Sequence, residues 1–351
     1  MAITEILTGD AQAVKRWSTR MMVEAIGQTY IKRFMGSSKS AILQVHNDLS
    51  KGAGDDIKYD LLPLISGFGV FGDTRLKGQE KALTYFQDSL KIEQQREGIT
   101  WGRMTQQRTL HDIMEDSVVA LSKFWGRVMD QFTLAQLCGT AGTAGEGPAV
   151  AAAITAHGVN ALVAPDAGHT IATGAIFTVD NFRKLREKAA LAAPIVQPTM
   201  VEGSPKYVVM LRPEAVTSMK NEVTANKWRE ITAQAESRGA SNPIYTGALG
   251  EFDGCVIHES IYLPKDTGGT QLNYGVLLGA QAGSIAFGRS YQDLGSSPSK
   301  SGGENFSFFD DVDDYGNEIG ISAATIWGVK KNRFNSLDYG TVRITSTENP
   351  Q

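Results

Sequence analysis

The chain has 351 residues, of which 42% are hydrophobic and 21% are charged, and its formal net charge is -4. This composition is typical of a soluble globular protein with room for two structural units. The negative net charge and the lack of a Lys/Arg-rich run exclude a protein that binds nucleic acid electrostatically over its whole surface. No apolar run reaches the roughly 18 residues of a membrane span.

The first residues, MAITEILTGDAQAVKRW, lack the basic and apolar regions of a signal peptide. The two cysteines, Cys138 and Cys255, lie far apart and belong to no paired motif. We therefore expect folding in a reducing cytoplasm, without a disulfide scaffold. Cys138 has no obvious base beside it in the sequence, so it is interpreted as a buried structural thiol.

Residues 13–36, AVKRWSTRMMVEAIGQTYIKRFMG, are predicted to form an amphipathic helix that ends near Gly36. Val14, Trp17, Met21 and Ala25 fall at helical spacing, with charged residues between them. Little else nearby in the sequence could cover this apolar face. We interpret the segment as an arm that docks on a distant part of the chain or on another chain.

The next segment is predicted to be a long hairpin with a glycine-rich middle. Alternating residues predict one strand around Ile57–Leu61 and another around Leu90–Ile92. Between them, Gly67-x-Gly69-x-x-Gly72 has the spacing of a dinucleotide-binding loop, but neither a buried strand nor a helix flanks it. We interpret these glycines as loop residues with unusual backbone angles. The segment has too few large apolar residues to fold without a neighbour.

The strongest helical pattern follows, in TQQRTLHDIMEDSVVALSKFWGRVMDQFTLAQLCG. It predicts one helix of roughly 33 residues, capped by Thr105 and ended by Gly139, with a length near 50 Å. Its broad apolar face contains Leu110, Ile113, Met114, Leu121, Phe124, Trp125, Val128, Met129, Phe132 and Leu137. A helix of this length in a mixed protein acts as a spine.

The remaining sequence alternates helices and strands. A helix is predicted with Phe182, Leu185 and Ala189 facing inward, and then a strand that leads into a helix with Pro213 in its first turn. A short helix is predicted to close at Gly239. Later segments predict strands, with a tight turn at Asp253-Gly254 and a final hairpin joined by an Asp/Asn/Gly turn.

No catalytic or metal-binding pattern emerges. The five histidines, His46, His111, His157, His169 and His258, have no metal spacing, and His258-Glu259 lacks the second histidine of a zinc helix. The run DDVDDYGNE fits part of an EF-hand loop through Asp311, Asp313 and Gly316. However, Tyr315 stands where a ligand is needed and Ser322 replaces the final Glu, so a solvated turn is favoured. Nucleophile-elbow and phosphate-loop motifs are missing too, and an enzyme is not supported.

The order of these elements and several specific stretches resemble the major capsid proteins of tailed bacteriophages, in particular the phage N-four capsid family. The stretches that carry the resemblance span almost the whole chain and include KRWSTRMMVEA, FMGSSKSAILQVHNDLSKGAGDDIKY, LISGFGVFGDTRLKGQEKALTYFQDSLKI, QFTLAQLCG, YVVMLRPEAV, NPIYTGALGEFDGCVIHES and LLGAQAGSIAFG. The resemblance implies an α+β protein with the Hong Kong 97 phage-type capsid fold, which has an N-terminal arm, an extended two-stranded loop, a long spine helix in a peripheral domain and a mixed axial domain.

The resemblance also implies a division of the chain. The expected units are the N-terminal arm (1–50), the extended loop (51–103), the peripheral domain with the spine helix (104–205), the axial domain (206–300) and the returning peripheral strands (301–351). The expected inter-subunit residues lie in the arm and near the tip of the extended loop: Trp17, Met21, Gly67, Phe68, Gly69, Phe71 and Gly72.

The function implied is self-assembly into hexamers and pentamers that form an icosahedral head shell around double-stranded DNA, which the protein encloses without specific binding. The expected partners are other copies of the chain, a separate scaffolding protein, a portal protein and decoration proteins, with assembly in the host bacterial cytoplasm and no cofactor or membrane. A cellular nanocompartment shell of the same fold is the alternative. Some relatives crosslink a loop lysine to an asparagine of a neighbour. Lys77, Lys81 and Asn332 are available here, but solvated charges are the favoured interpretation.

Overall fold

The computed structural model describes a protein built on two β-sheets that share one long helix. The described residues are 29–47, 54, 56–61, 69–83, 85–110, 112–139, 161–163, 176–192, 194–201, 203–221, 249–266, 272–288, 306–335 and 337–347. The helices are α1 (Arg103–Arg108), α2 (Ile113–Cys138), α3 (Asn181–Leu191) and α4 (Pro213–Lys220), with short 3₁₀ helices at Tyr30–Phe34 and Asp314–Gly316. No helix in these ranges is both long and apolar enough to cross a membrane.

The first sheet has six strands in the order β1-β2-β13-β15-β14, with β5 also paired to β15. Its strands are β1 (Met35–Gly36), β2 (Leu43–His46), β5 (Glu93–Gly102), β13 (Gly283–Phe287), β14 (Phe306–Asp313) and β15 (Glu318–Lys331). The long strand β15 organises this sheet, because β5, β13 and β14 all pair with it in antiparallel fashion. Strands β5 and β13, which are distant in the sequence, therefore meet on one element beside its hairpin partner β14.

The second sheet has eight strands in the order β6-β18-β12-β8-β10-β9, with β7 on β8 and β11 on β12. Its strands are β6 (Ala161–Val163), β7 (Thr199–Val201), β8 (Ser204–Leu211), β9 (Gly250–Phe252), β10 (Cys255–Glu259), β11 (Lys265–Asp266), β12 (Leu272–Leu278) and β18 (Thr341–Thr347). Two-stranded pairs complete the described fold: β3 (Asp56–Leu61) with β4 (Phe86–Lys91), and β16 (Arg333–Phe334) with β17 (Leu337–Asp338).

The position of β8 in the second sheet explains its continuous apolar sequence. In β8 the run YVVML is buried on both faces. Val209 packs with Phe182 and Leu185 of α3 on one side, whereas Val208 and Met210 pack on the other side in a cluster that includes the C-terminal end of α2. A strand covered on both faces needs a continuous apolar run rather than an alternating one.

The spine helix α2 begins later than the sequence pattern predicts. Thr109 is extended (ψ 147°), so α1 ends there, and the Asp112 carboxylate caps a new helix by accepting bonds from the N–H groups of Met114 (3.1 Å) and Glu115 (3.3 Å). The single 33-residue helix capped by Thr105 is therefore wrong, and Leu110 is fully exposed rather than on the apolar face. The 26 residues of α2 give a length of about 39 Å.

Other local predictions are confirmed. Gly139 ends α2 in the left-handed conformation, and Cys138 beside it is completely buried, with its thiol pKa raised to about 12 by burial. Pro213 lies in the first turn of α4. Asp253 (φ 47°) and Gly254 (φ 75°) form the two-residue turn between β9 and β10. The helix predicted to close at Gly239 lies outside the described residues.

The predicted arm helix is described only at its C-terminal end, where it is wrong. Thr29 is extended (ψ 117°), Tyr30–Phe34 form a 3₁₀ helix, and Met35–Gly36 are already a strand. Val14, Trp17, Met21 and Ala25 lie outside the described residues.

Candidate inter-subunit surfaces

The extended loop is a hairpin whose base packs on the body of the protein. Strands β3 and β4 pair antiparallel, with Ile57 opposite Leu90, as the sequence predicts. Ile57 and Leu90 are buried against Ala286 of β13. Strand β15 passes so close beneath that Gly328 leaves no space for a Cβ next to the Lys91 carbonyl. The apolar side chains at the base of the hairpin are therefore buried by the first sheet.

A polar network also holds the hairpin base, and it centres on Asp88 of β4. Lys330 of β15 forms an ion pair with Asp88, and both side chains are largely buried. The Arg333 N–H donates to Asp88 Oδ2 at 3.1 Å, and the Tyr59 hydroxyl lies at the same distance from that oxygen. One carboxylate thus joins both strands of the hairpin to the end of β15.

Tyr59 extends this network to a buried amide. Its hydroxyl lies 3.0 Å from Asn332 Oδ1, so its single proton is shared between Asn332 and Asp88. Burial and the Asp88 charge both raise the pKa of Tyr59, which keeps the hydroxyl protonated as a donor. Ser284 donates to the same Asn332 oxygen at 2.8 Å, and the Asn332 amide donates to the Gln281 carbonyl at 3.0 Å.

The state of Asn332 bears on the crosslinking alternative. Asn332 is only 1% exposed and its amide is engaged on both sides, whereas Lys77 and Lys81 lie exposed in the loop. In this conformation of the subunit, Asn332 serves to fix the loop base and offers no accessible amide.

We expect Asp88→Asn to loosen the hairpin base. The substitution keeps the shape of the side chain but removes the charge that pairs with the largely buried Lys330. The free energy of unfolding should fall by about 2–3 kcal/mol. Hydrogen exchange of residues 56–91 should accelerate while the second sheet stays protected. Asp60→Asn is the matched control, because Asp60 is exposed on the same hairpin and should leave exchange unchanged. Equal exchange in both variants would contradict the anchoring role of Asp88.

The distal part of the hairpin carries an exposed apolar surface. Four large side chains between residues 69 and 85 are more than half exposed: Phe71 (74%), Leu76 (59%), Leu83 (52%) and Tyr85 (59%). We call these four side chains the loop patch. Gly69 (φ 76°) and Gly72 (φ 62°) adopt the left-handed angles expected of loop glycines, and the described residues 73–83 contain no helix. Gly67 and Phe68 lie outside the described residues.

A second exposed surface lies at the tip of the β14–β15 hairpin. The tip turns through Asp314, Tyr315 and Gly316, all with positive φ, and Tyr315 is fully exposed. This turn is the one that the sequence predicts. The Arg103 N–H donates to the Asn317 carbonyl at 2.7 Å, so α1 lies beside the tip. Within the described ranges, no group of three or more His, Cys, Asp or Glu side chains could hold a metal ion.

A buried carboxylate of the spine helix holds the first described turn of the chain. Asp130 Oδ2 accepts a bond from the Tyr30 N–H (2.9 Å), and Oδ1 accepts one from the Ile31 N–H (3.1 Å). The Tyr30 hydroxyl contacts His258 Nδ1 of the second sheet at 2.5 Å. Burial raises the pKa of Asp130 to about 6, although these two N–H groups oppose the shift. This helix residue thus fixes the backbone at Tyr30 and Ile31.

We expect this carboxylate to make stability fall as pH rises. The folded pKa of Asp130 is about 6 and the unfolded value is near 3.8, so between them the folded chain holds a proton that the unfolded chain has lost. Asp130 therefore contributes about 3 kcal/mol to the free energy of unfolding. This contribution is fully present below about pH 4 and is lost as the pH rises through about 6. Unfolding free energies of the wild type minus those of Asp130→Asn, measured from pH 4 to 7, should decrease across this window. A flat difference would contradict the shift.

Sequence reasoning missed most of these anchoring residues. Asp88, Asn332 and Lys330 look like ordinary surface residues of their strands, and no motif joins them. Asp130 offered a signal, because it is a lone acid within the apolar stripe of WGRVMDQF. An ionisable residue at a buried helix position needs a partner, which here is the backbone of the arm.

Comparisons with known proteins match this architecture. A sequence model of the family described as phage capsid protein matches residues 5–349. The chain belongs to the phage capsid protein family. Among curated proteins, it is similar to the major capsid protein of Pseudomonas phage KPP25, with 26% identity over 382 residues that cover 96% of this chain and 95% of that protein.

Solved phage capsids share the fold. The chain is similar to the capsid of Ralstonia phage GP4, with a TM-score of 0.78, 26% identity and full coverage of both chains. It is also similar to the cyanophage Pam1 capsid, with a TM-score of 0.71, 18% identity and coverage of 93% and 94%. These likenesses confirm the predicted Hong Kong 97 phage-type fold and its mixture of helices and sheets.

Proposed function

We propose that this member of the phage capsid protein family assembles into hexamers and pentamers, which together form the icosahedral head shell around packaged double-stranded DNA. Membership of the family makes the chain a structural protein of the phage capsid. The observation that carries the finer proposal is the loop patch, an exposed apolar surface on a hairpin whose base is anchored to the first sheet. Apolar surface presented in this way is suited to burial against another copy.

We assign the inter-subunit contacts to the extended loop and the arm. In the loop, Gly69 and Gly72 supply the backbone angles that place Phe71 outward, and Gly67 and Phe68 continue the same segment. In the arm, Trp17 and Met21 are proposed from the sequence pattern. Many such contacts, each of modest strength, give a closed shell high stability through avidity.

The division into arm, extended loop, peripheral domain, axial domain and returning strands is part of this proposal. Strands from different proposed units pair within the same sheet. Strand β5 of segment 51–103 pairs along its whole length with β15 of the final segment, and β18 of the final segment pairs with β12 of segment 206–300. Each returning strand therefore ties two of the proposed units together.

We further propose a separate scaffolding protein, a portal protein and decoration proteins as partners, with assembly in the host bacterial cytoplasm. The net charge of -4 suits a wall that encloses DNA without specific binding, because an acidic surface does not retain phosphates during packaging. The nanocompartment alternative is not favoured, since the matching family and the curated relative are both phage capsid proteins.

Sedimentation and negative-stain imaging test the proposal. The full chain, expressed alone and together with the scaffolding protein encoded by the same phage, should give closed particles hundreds of ångströms across. Particles recovered from infected cells should contain DNA rather than a cargo protein. Small species under both expression conditions would overturn the shell proposal, and particles filled with a cargo enzyme would revive the nanocompartment alternative.

A further inference from the structure

The tip of the β14–β15 hairpin carries exposed apolar side chains. Val312 and Tyr315 of the hairpin and Met104 at the start of α1 are each more than half exposed. The bond from the Arg103 N–H to the Asn317 carbonyl holds the start of α1 beside the tip. We call Met104, Val312 and Tyr315 the tip patch. Exposed apolar side chains that are grouped in this way are typical of a surface that contacts another protein.

Negative charge borders the tip patch on one face of the hairpin. Asp313 lies directly opposite Glu318 in the ladder, and Asp311 is two residues earlier on the same strand. Because alternate residues of a strand share a face, these carboxylates lie together, on the side away from the core in which Ile319 packs with α2. Like charges directly opposite each other destabilise a strand pair. Within the described part of the chain, none of the three acids forms an ion pair.

The segment that bears the loop patch has the opposite charge. Its exposed cations lie among the patch side chains: Arg75, Lys77 and Lys81. Its acids are Asp73 and Glu80, and the Glu80 carboxylate already accepts a bond from a backbone N–H of the loop. With three cations and two acids, residues 70–85 have a net charge of +1, whereas residues 311–318 have three aspartates, one glutamate and a net charge of -4. The two exposed surfaces are therefore complementary in charge.

The anchored base of the loop and the hairpin tip lie at opposite ends of β15. Lys330 binds the base of the hairpin that carries the loop patch, whereas Glu318 begins the strand at the tip. At about 3.3 Å per residue, these two positions are about 40 Å apart. Complementary surfaces from opposite ends of a subunit pair head to tail between copies, and such contacts close into rings where the rotation permits.

We propose that the loop patch of one copy docks on the tip patch of a neighbouring copy, with Lys77 and Lys81 facing Asp311 and Glu318. This docking rests on the proposed function, since it identifies the surface that the loop contacts in the neighbour. The apolar side chains supply the affinity, and the charges select the partner surface and fix its register. Neutral replacement of the lysines therefore changes assembly little, whereas reversal of their charge places like charges together and opposes it.

Charge reversal in the full chain tests the pairing. Lys77→Glu with Lys81→Glu should reduce particle yield by about tenfold or more, and so should Asp311→Lys with Glu318→Lys. All four substitutions in one chain should restore the yield to within about threefold of the wild type, because each loop then meets a tip of opposite charge. Thermal unfolding of the free subunits verifies that each variant is folded. Normal yield in either reversed pair, or a folded fourfold variant without particles, would overturn the docking.

Crosslinking tests the contact without any change of charge. Particles assembled from a mixture of Leu76→Cys chains and Val312→Cys chains should form a link between these two positions with a short bismaleimide, identified by peptide mass spectrometry. Such a link joins two different chains by design. Cys138 and Cys255 are fully buried, and burial raises the pKa of each thiol to about 12, so the native cysteines do not compete. The control mixes Leu76→Cys with Met200→Cys, an exposed position in the second sheet, and should give no such link.

The outcomes separate this docking from the shell function. Mixed particles without a link between Leu76→Cys and Val312→Cys would overturn the docking and leave the shell function standing. An equal link to Met200→Cys would also overturn it, because the loop would then have no specific partner surface. If the wild-type chain gives no particles even with its scaffolding protein, the proposed function fails, and the docking fails with it.

Discussion

Replacing Phe71, Leu76, Leu83 and Tyr85 together by serine should reduce particle yield by more than tenfold while the free subunit stays folded. Each of these side chains is more than half exposed in the subunit, so its loss changes the unfolding free energy little. In the shell, each buried side chain contributes about 1.5–3 kcal/mol, and about 1.4 kcal/mol already corresponds to a tenfold change in association. Sedimentation gives the yield, and thermal unfolding of the subunit gives its stability.

A control in the same loop separates apolar contact from charge. Lys77 and Lys81 are exposed between the patch residues, and replacing both by serine should leave particle yield within about twofold. Normal assembly of the fourfold variant would contradict the role of the loop patch. Loss of assembly in the lysine variant as well would assign the contact to charge instead.

Asp338→Ala should be among the most destabilising single substitutions, with a loss of about 3–5 kcal/mol in unfolding free energy. Lys331 is completely buried, and its Nζ lies 3.0 Å from Asp338 Oδ1, which also accepts a bond from Arg333 Nε at 3.1 Å. Burial lowers the pKa of Lys331, and the Asp338 charge opposes that shift. Without Asp338, an ammonium group remains in the interior with no counter-charge among the residues that the structure describes. Chemical denaturation of the subunit measures the loss.

The matched control removes the buried charge together with its partner. Lys331→Met combined with Asp338→Asn keeps the volume of both side chains and leaves an acceptor for Arg333, so this double variant should recover most of the stability lost in Asp338→Ala. If Asp338→Ala costs less than about 1 kcal/mol, water reaches Lys331 and the buried pair does not fix this end of β15.

The sequence was sufficient for elements whose cause is local or periodic. The run YVVML in β8, Pro213 in α4, the Asp253-Gly254 turn and the Gly139 cap each follow from a rule that acts within a few residues. The interpretation of Gly69 and Gly72 as loop glycines with unusual backbone angles is likewise confirmed, because both have left-handed φ values.

The remaining features depend on contacts between distant parts of the chain. The apolar pattern of the spine helix continues through Leu110, but α1 lies beside the tip of a hairpin more than 200 residues later, and a new helix starts at the Asp112 cap. The 3₁₀ turn at Tyr30 depends on Asp130, and the loop base depends on Lys330 and Asn332. Periodicity carries no information on such pairings.

Hydrogen exchange of residues 69–85 should differ between free subunits and assembled particles. We expect rapid exchange and fast protease cleavage near Gly69–Gly72 in the free subunit, and strong protection in the particle, where a neighbour covers the loop patch. Equal exchange in both states would contradict it, because the exposed apolar segment of the loop would then have no partner in the shell.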